Sequence, residues 1–182
     1  MKFLFPALIF AIFTGCLVPV NMEELKEENT PPRFLRDYLS PQFILKIYQS
    51  SQPLVLTFVI EDPDIYDEIP FRIYKDYALA PETDSAKLST VIVTDKIPPR
   101  DPEDPPIVME DGSESIYVRS FHFPISQNRF CDSSDSNGDT HQIDIVIADA
   151  FDSSSTRLPY WRATIGPSDV WTFTVVCTSS NK

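Results

Sequence analysis

The sequence predicts an all-β fold, an antiparallel β-sandwich of about seven short strands. Apolar and polar residues alternate with the two-residue period of a strand in seven separate runs, and residues that favour turns lie between the runs. No segment between them has the apolar spacing of an amphipathic helix. Short strands joined by turns favour two packed antiparallel sheets over an α/β arrangement. The seven runs are Phe43 to Tyr48, Leu54 to Glu61, Glu68 to Asp76, Leu88 to Thr94, Ser115 to Ile125, His141 to Asp149 and Val170 to Cys177.

Three of these runs identify the residues that we expect in the core. Leu54 to Glu61 and Val170 to Cys177 each place four large or apolar side chains on one face. In His141 to Asp149 the isoleucines alternate with Asp144 and Val146, so the isoleucines are predicted to point inward. The predicted core residues of these runs are Leu54, Leu56, Phe58, Ile60, Ile143, Ile145, Ile147, Trp171, Phe173, Val175 and Cys177.

Turn residues and prolines separate the runs. Glu61-Asp62-Pro63-Asp64 and Ser136-Asn137-Gly138-Asp139 are typical turn sequences. Lys96 to Pro106 contains five prolines in eleven residues, a density that no central strand tolerates, and it is predicted to be an extended surface loop. A short helical turn remains open at Ala78 to Leu88.

The N-terminus has the layout of a secretory signal. Lys2 supplies a basic start, Phe3 to Phe13 is almost wholly apolar, and the segment is too short to span a bilayer as a helix. The closing residues Phe13-Thr14-Gly15-Cys16 resemble a bacterial lipobox, in which small residues precede a cysteine that is lipidated, with acyl chains such as palmitate, and becomes the mature N-terminus. A plain cleaved signal, with Cys16 incidental, is the alternative.

The lipobox resemblance implies an organisation in three parts. Residues 1–15 are expected to be the signal peptide, residues 16–33 a lipidated tether and residues 34–182 the β-sandwich domain. The tether is rich in glutamate, and Pro31-Pro32 would end any helix that started there. By similarity to lipoproteins of Gram-negative bacteria, Leu17 in place of aspartate favours residence in the outer membrane.

The strand region resembles a known domain family. Leu54 to Asp64 followed by Ile69 to Tyr74 is similar to the segment that joins strands B and C in bacterial immunoglobulin-like and cadherin-like domains. His141 to Asp149 resembles their penultimate strand, and Val170 to Cys177 would be the last. The resemblance implies an immunoglobulin-like β-sandwich and specifies a fold rather than an activity.

Charge and cysteine content restrict the partners and the compartment. The chain carries 27 acidic and 15 basic residues, a formal net charge of −12, which argues against nucleic acid and anionic lipid as partners but permits cationic ligands or calcium. Cys131 and Cys177 are an even pair in a chain with an export signal, so they are predicted to form a disulfide. Free or metal-bound thiols are the alternative.

Two sets of residues are candidate ligand sites. Oxygen donors alternate at Asp135, Asn137 and Asp139, the spacing that a calcium ion favours, although a polar hairpin loop explains the same residues. Tyr160 and Trp161 follow a serine run in the loop before the last strand, where a sugar or a peptide could stack on them. The alternative is that Trp161 closes one end of the sandwich.

A second acidic cluster follows the first long strand run. Asp62, Asp64, Asp67 and Glu68 crowd the loop between two strands, where cadherin-like domains bind calcium with help from a neighbouring domain. Because only one domain is present, a solvated loop is the favoured interpretation.

No motif in the chain identifies a reaction. His122 and His141 both lie inside strand patterns, and there is no glycine-rich phosphate loop or Gly-x-Ser-x-Gly motif. We therefore expect an outer-membrane-anchored lipoprotein whose domain is not an enzyme and has a binding or envelope-structural role. The expected partners are the membrane, through the lipid, and an unidentified envelope protein or glycan. A carbohydrate- or calcium-binding surface module is the alternative, with calcium as the one possible cofactor.

Overall fold

The computed structural model describes residues 30–48, 52–152 and 164–178. Within these ranges the chain is mostly β, with ten strands and one short α-helix, α1, at Asp84–Ser89. Cys16 and the signal peptide, most of the tether, and the candidate residues Tyr160 and Trp161 lie outside the described residues. The strands are β1 Arg33–Phe34, β2 Ile44–Tyr48, β3 Pro53–Glu61, β4 Ile69–Lys75, β5 Val91–Ile97, β6 Ile107–Val108, β7 Glu114–Ser115, β8 Val118–Ser126, β9 Thr140–Phe151 and β10 Thr164–Thr178.

The strands form two larger sheets and one small hairpin. The five-stranded sheet has the order β2-β10-β9-β4-β5, the three-stranded sheet has the order β1-β3-β8, and β6 pairs with β7. Every pair is antiparallel except β2 with β10, which run parallel with Ile44 opposite Thr174. This pair departs from the expected antiparallel arrangement. The two strands lie far apart in the sequence, one near the start of the domain and one near its end, so no tight turn forces them to be antiparallel.

One core lies between the inner faces of the two larger sheets. The ring of Phe58 on β3 lies 5.2 Å from that of Phe71 on β4 and 5.8 Å from that of Trp171 on β10. The core faces predicted for β3, β9 and β10 are confirmed, since every predicted core residue is buried except Leu54, which is partly buried and packs against the core. Each fully buried large apolar side chain stabilises the fold by about 1.5–3 kcal/mol relative to an exposed one.

The segment between β4 and β5 differs from the expected strand at Leu88 to Thr94. The first residues of the predicted run belong to the end of helix α1, and the strand starts only at Val91. The Thr83 hydroxyl accepts a hydrogen bond from the backbone N–H of Ala86, which caps the helix at its first turn. The Lys87 ammonium is buried, donates to the Tyr77 carbonyl at 2.8 Å and lies 4.5 Å from the Tyr77 ring centre. A short helical turn, which the sequence left open here, is therefore present.

The same segment covers part of the outer face of the five-stranded sheet. Tyr74, Tyr77 and Val146 form a second, smaller core there, with the two tyrosine rings 5.1 Å apart. Asp144 on the same face of β9 is also buried, and its carboxylate accepts a hydrogen bond from the Thr172 hydroxyl at 2.7 Å. Strand β9 is therefore buried on both faces, although its alternating pattern predicts only one inward face.

The proline-rich segment at Lys96 to Pro106 is not wholly a surface loop. Lys96 and Ile97 complete strand β5, and Ile97 is buried in the core. Residues 98–106 follow as a loop, but the side chain of Arg100 turns inward and is buried. Prolines prevent this segment from pairing as a strand, so its backbone needs other hydrogen-bond partners, which Arg100 provides.

The structure places Cys131 and Cys177 at disulfide-bonding distance, as the sequence predicts. Their Cα atoms lie 5.7 Å apart and both side chains are buried. The bond joins the loop after the 3-10 turn Gln127–Arg129 to the end of β10. Two backbone hydrogen bonds support the same junction, from Gly138 N–H to the Cys177 carbonyl and from Cys177 N–H to the Asp139 carbonyl, both at 2.8 Å.

Loss of this disulfide is expected to lower the stability of the domain substantially. The two cysteines are 46 residues apart, and the entropy of closing a loop of that size corresponds to about 4 kcal/mol in the unfolded chain. We expect the Cys131→Ala/Cys177→Ala variant to lose an amount of this order in the free energy of unfolding, measured by urea titration. Recovery of both cysteines as free thiols from the exported wild-type protein would contradict the pairing.

Candidate functional site

Four strand ends meet at one end of the domain. The end of β3 pairs with the start of β8, where Glu61 lies opposite Val118, and the start of β4 pairs with the end of β5, where Ile69 lies opposite Ile97. The connections that leave these ends, residues 62–68 and 98–117, are therefore on the same side of the molecule. We call these connections the loop end.

Arg119, the second residue of β8, holds the loop end together from inside. Its guanidinium donates to the Asp62 carboxylate at 2.5 Å and to the carbonyls of Asp64 and Asp67 at 2.8 and 2.6 Å. It also donates to the carbonyl of Pro98 at 3.1 Å. A planar guanidinium presents several donors at fixed angles, so one side chain satisfies acceptors from both connections.

Arg100 provides a second buried guanidinium at the loop end. Its Nη1 donates to the carbonyls of Ile116 and Val118, both at 3.2 Å, and its Nη2 donates to those of Asp104 and Pro105, both at 2.6 Å. The backbone N–H of Arg100 donates to the Ile65 carbonyl at 2.9 Å. The proline-rich loop is thereby joined to residues 62–68 on one side and to the start of β8 on the other.

The Arg119–Asp62 pair is an ion pair in a poorly solvated position. Both side chains are about 95 % buried, at 5 % and 4 % exposure. Burial raises the pKa of Asp62 and lowers the pKa of Arg119, because removal from water penalises each charged form, while the attraction between the two charges acts in the opposite sense on each. A charge left without its partner at this position would be strongly unfavourable.

Carboxylates from distant parts of the chain line a small pocket at the loop end. The pocket, of about 80 Å³, lies between the predicted cluster of Asp62, Asp64, Asp67 and Glu68 and a fifth carboxylate, Asp149 near the end of β9. Partial burial, followed by repulsion from Asp64 and Asp67, raises the pKa of Asp149. The Oδ2 atom of Asp64 is buried and accepts no hydrogen bond from the described residues. We call this the acidic pocket.

Sequence reasoning found the cluster in residues 62–68 but missed Asp149. Asp149 is the last residue of the run predicted as the penultimate strand, and this position was the one clue in the sequence. Because β9 pairs with β4, the end of β9 lies beside the loop that precedes β4. The order of the strands in the sheet brings Asp149 to residues 62–68, and the local sequence pattern does not predict that order.

A larger groove lies beside the acidic pocket. It has a volume of about 700 Å³, and Asp64 and Asp67 belong to both features. Two tyrosines line it, Tyr66 at 70 % exposure and Tyr117 at 47 %, together with the exposed side chain of Ile116. We call this the tyrosine groove. Neither tyrosine was singled out from the sequence, because an isolated aromatic residue in a loop carries no local signal of exposure.

The predicted calcium ligands lie at the opposite end of the domain. The Oδ2 atom of Asp135 accepts a hydrogen bond from Asp132 N–H at 2.7 Å and lies 3.5 Å from the Lys75 ammonium. Asp139 accepts a hydrogen bond from Ser136 N–H at 2.6 Å, whereas Asn137 is exposed. The two carboxylates thus each close a different turn. Calcium at these residues stays a prediction, and it would compete with Lys75 for Asp135.

His141 also contacts Asp135, within a cluster at the same end. Its Nδ1 lies 2.6 Å from the Asp76 carboxylate and its Nε2 lies 3.1 Å from Asp135 Oδ1. Asp76 has a positive φ of 55° and accepts a hydrogen bond from Gln142 N–H at 2.8 Å. His141 therefore connects the end of β4 to the loop that carries Cys131. This is a structural role, and His122, on the outer side of β8, is exposed.

The structure and the comparisons add two further findings. Among residues 30–48, 52–152 and 164–178, no helix has the length and apolar character that a membrane span requires. Comparison of the chain with protein-family models, with curated proteins and with solved structures gave no match. The functional argument therefore depends on the residues of this chain.

Removal of Arg119 is expected to be much more costly than removal of a nearby exposed arginine. We expect Arg119→Met to lower the free energy of unfolding by about 3–5 kcal/mol, because it leaves Asp62 buried and unpaired. Arg33→Met is the control, since the Arg33–Glu61 pair is exposed and a change of less than about 1 kcal/mol is expected. Urea unfolding measures both.

A double variant tests whether the unpaired charge is the cause. Asp62→Asn removes the buried charge and keeps an oxygen that can accept the Asp64 N–H. Asp62→Asn/Arg119→Met should therefore be more stable than Arg119→Met alone. A double variant as unstable as the sum of the two single changes would contradict the ion-pair explanation.

Asp149 is expected to make the domain less stable as pH rises. A carboxyl whose folded pKa is raised contributes stability that is fully present below its unfolded pKa, about 3.9, and is lost as pH rises through the folded value. The difference in stability between Asp149→Asn and wild type, measured by thermal unfolding, should therefore change in favour of the variant as the pH rises from about 4 to about 7.

An exposed carboxyl with the opposite shift provides the control for Asp149. Hydrogen bonds from the Ser113 hydroxyl and N–H lower the pKa of Asp111, so its contribution to stability is lost as pH falls. Asp111→Asn should show the opposite trend relative to wild type over the same pH range. Equal pH trends in the two variants would contradict the raised pKa of Asp149.

Proposed function

We propose that this chain is an exported lipoprotein, anchored by acyl chains on Cys16 in the outer membrane, and that its β domain is a non-catalytic binding or structural module of the cell envelope. The observation that carries the proposal is the sequence Phe13-Thr14-Gly15-Cys16 at the end of an apolar leader. Several acyl chains on one cysteine would form a stable anchor, because each buried methylene contributes about 0.8 kcal/mol.

The pairing of Cys131 and Cys177 supports export. A disulfide persists in oxidising compartments and is rare in the reducing cytosol. Both cysteines are buried beside the last strand, which would protect the bond from reductants. The disulfide and the leader are independent features, and both favour a location outside the cytoplasm.

We also propose that the domain is an immunoglobulin-like β-sandwich. In that family strands A, B and E share one sheet, and strands G, F, C and C′ follow one another in the other. The order β1-β3-β8 corresponds to the first set, and the order β10-β9-β4-β5 corresponds to the second. The disulfide differs from the inter-sheet bond of antibody domains, because it joins a loop to the last strand.

The architecture of the loop end favours a binding role over a purely structural role in the envelope. Two buried arginines fix its backbone, and exposed tyrosines lie on it. Loops that are positioned by a rigid scaffold are the usual carriers of binding residues in β-sandwiches. The tether joins the domain on this side, since Thr30 lines the tyrosine groove. The 13 residues between Cys16 and Thr30 could extend to about 50 Å, so the anchor leaves the loop end accessible.

Substitution of Cys16 tests the anchor. Cys16→Ser, expressed in a Gram-negative host, is expected to move from the detergent phase to the aqueous phase on detergent partitioning, because the acylated residue is lost. The intact mass of the wild-type protein should equal residues 16–182 plus a diacylglyceryl group and an acyl chain, less two hydrogens.

The control for the anchor experiment is a variant without the disulfide. Cys131→Ala/Cys177→Ala retains Cys16 and should remain in the detergent phase. Wild-type-like membrane fractionation of Cys16→Ser would overturn the lipoprotein proposal.

A further inference from the structure

We propose that the tyrosine groove binds a cationic segment of a partner protein, an extended stretch rich in arginine or lysine. The groove combines the rings of Tyr66 and Tyr117 with the carboxylates of Asp64 and Asp67. The inference extends the proposed binding role and requires only the β domain, so it can hold whether or not Cys16 is lipidated.

The two tyrosines are exposed more than large aromatic residues usually are. Tyr66 and Tyr117 leave 70 % and 47 % of their surface accessible, and Ile116, the residue before Tyr117, leaves 45 %. Apolar surface of this kind, rimmed by polar groups, is typical of an interaction site. A tyrosine ring attracts a guanidinium or ammonium placed over its face.

The charge around the groove is negative. Asp64 and Asp67 line both the tyrosine groove and the acidic pocket, and Asp62, Glu68 and Asp149 line the pocket behind them. Of the nearby cations, Arg119 is directed inward to Asp62 and to backbone carbonyls, and the Lys96 ammonium pairs with Glu68 at 2.5 Å. Burial, followed by repulsion from Asp64 and Asp67, raises the pKa of Asp149. A cationic ligand would relieve this repulsion.

The groove is preorganised, which lowers the entropic cost of binding. The Asp62 N–H donates to the Tyr117 carbonyl at 2.8 Å, so the two tyrosine-bearing loops are joined directly. Arg119 holds the carbonyls of Asp64 and Asp67, on either side of Tyr66. A site whose backbone is already fixed orders fewer groups when a ligand binds.

A cationic peptide fits these features better than other envelope ligands. Anionic lipid head groups and nucleic acid would be repelled by the carboxylates. A neutral glycan could stack on the tyrosines but would not reduce the repulsion that Asp64 and Asp67 exert on Asp149. Salt dependence separates the two classes, because ionic strength screens the attraction of a cation and leaves stacking largely unchanged.

The direct test measures binding of a fluorescein-labelled oligoarginine peptide to the Cys16→Ser protein, which keeps its disulfide and lacks the lipid, by fluorescence anisotropy. A glutamine peptide of equal length and a cello-oligosaccharide are the neutral probes. We expect oligoarginine to bind more tightly than either probe. Its affinity should fall between about 0.01 M and 1 M salt, as the Debye length falls from about 30 to 3 Å.

Matched variants locate the site. Tyr66→Ala and Tyr117→Ala should each weaken oligoarginine binding about two- to fivefold, the effect expected for an exposed cation–aromatic contact. Tyr48→Ala is the control, since Tyr48 is equally exposed at 59 % but lies on strand β2. Asp67→Asn should weaken binding, whereas Asp139→Asn, the same change of charge at the other end of the domain, should not.

Several results would overturn the inference. Equal losses in Asp67→Asn and Asp139→Asn would show non-specific attraction to an acidic protein, and unchanged binding by both tyrosine variants would exclude the groove. Tighter, salt-independent binding of the oligosaccharide would assign the groove to glycans. Failure of the lipid anchor is measured separately by the mass of the mature protein, so the two proposals can fail independently.

Discussion

The guanidinium of Arg119 satisfies the carbonyls of Asp64, Asp67 and Pro98 and neutralises the buried Asp62 carboxylate. The loop between β3 and β4 has no ladder partner, so its backbone oxygens need donors from elsewhere. An inward-facing arginine at the start of a strand supplies them from the rigid part of the fold. The position of Tyr66 and of the carboxylates around it therefore depends on one side chain that takes no part in the exposed surface.

The two ends of the domain are stabilised by different means. At the end that carries the disulfide, Cys131 is bonded to the last strand, the Lys75 ammonium lies 3.5 Å from Asp135, and the His141 ring contacts the same carboxylate. At the loop end, ion pairs take the place of a covalent bond, with Arg119 bound to Asp62 and Lys96 bound to Glu68, while Asp64 and Asp67 lie close enough to Asp149 to repel it. Between the ends, the aromatic core around Phe58 and Trp171 fixes the distance between the two sheets. Charge repulsion is thus concentrated where the exposed aromatics lie.

Alternation along the chain predicts which side of a strand is buried, and the sequence predicted the core faces of β3, β9 and β10 for that reason. It also identified the only two cysteines downstream of Cys16 as partners. Alternation carries no information on which strands are neighbours. The parallel pairing of β2 with β10 and the approach of Asp149 to residues 62–68 both follow from strand order, so neither could be predicted.

Arginine roles were equally hidden from the local sequence. Arg100 lies in a proline-rich, strongly charged stretch typical of a solvated loop, yet its side chain is buried against four carbonyls. Alternation places Arg119 on the strand face of Phe121 and Phe123, but no local pattern shows which oxygens its guanidinium contacts. Each side chain is oriented by the backbone oxygens that it satisfies. These oxygens belong to loops that lie far apart in the sequence and come together only in the folded chain.

Buried hydrogen bonds are expected to hold the loop end rigid before any ligand binds. Amide hydrogen exchange of the wild-type protein tests this rigidity most directly, at the N–H groups of Asp62, Asp67 and Arg100, which donate to carbonyls within the loop end. We expect these amides to exchange nearly as slowly as those of the central strands β9 and β10, since they should open only in large-scale unfolding. Exchange at the rate of an unprotected chain would show that the loop end opens freely and would contradict a preformed binding surface.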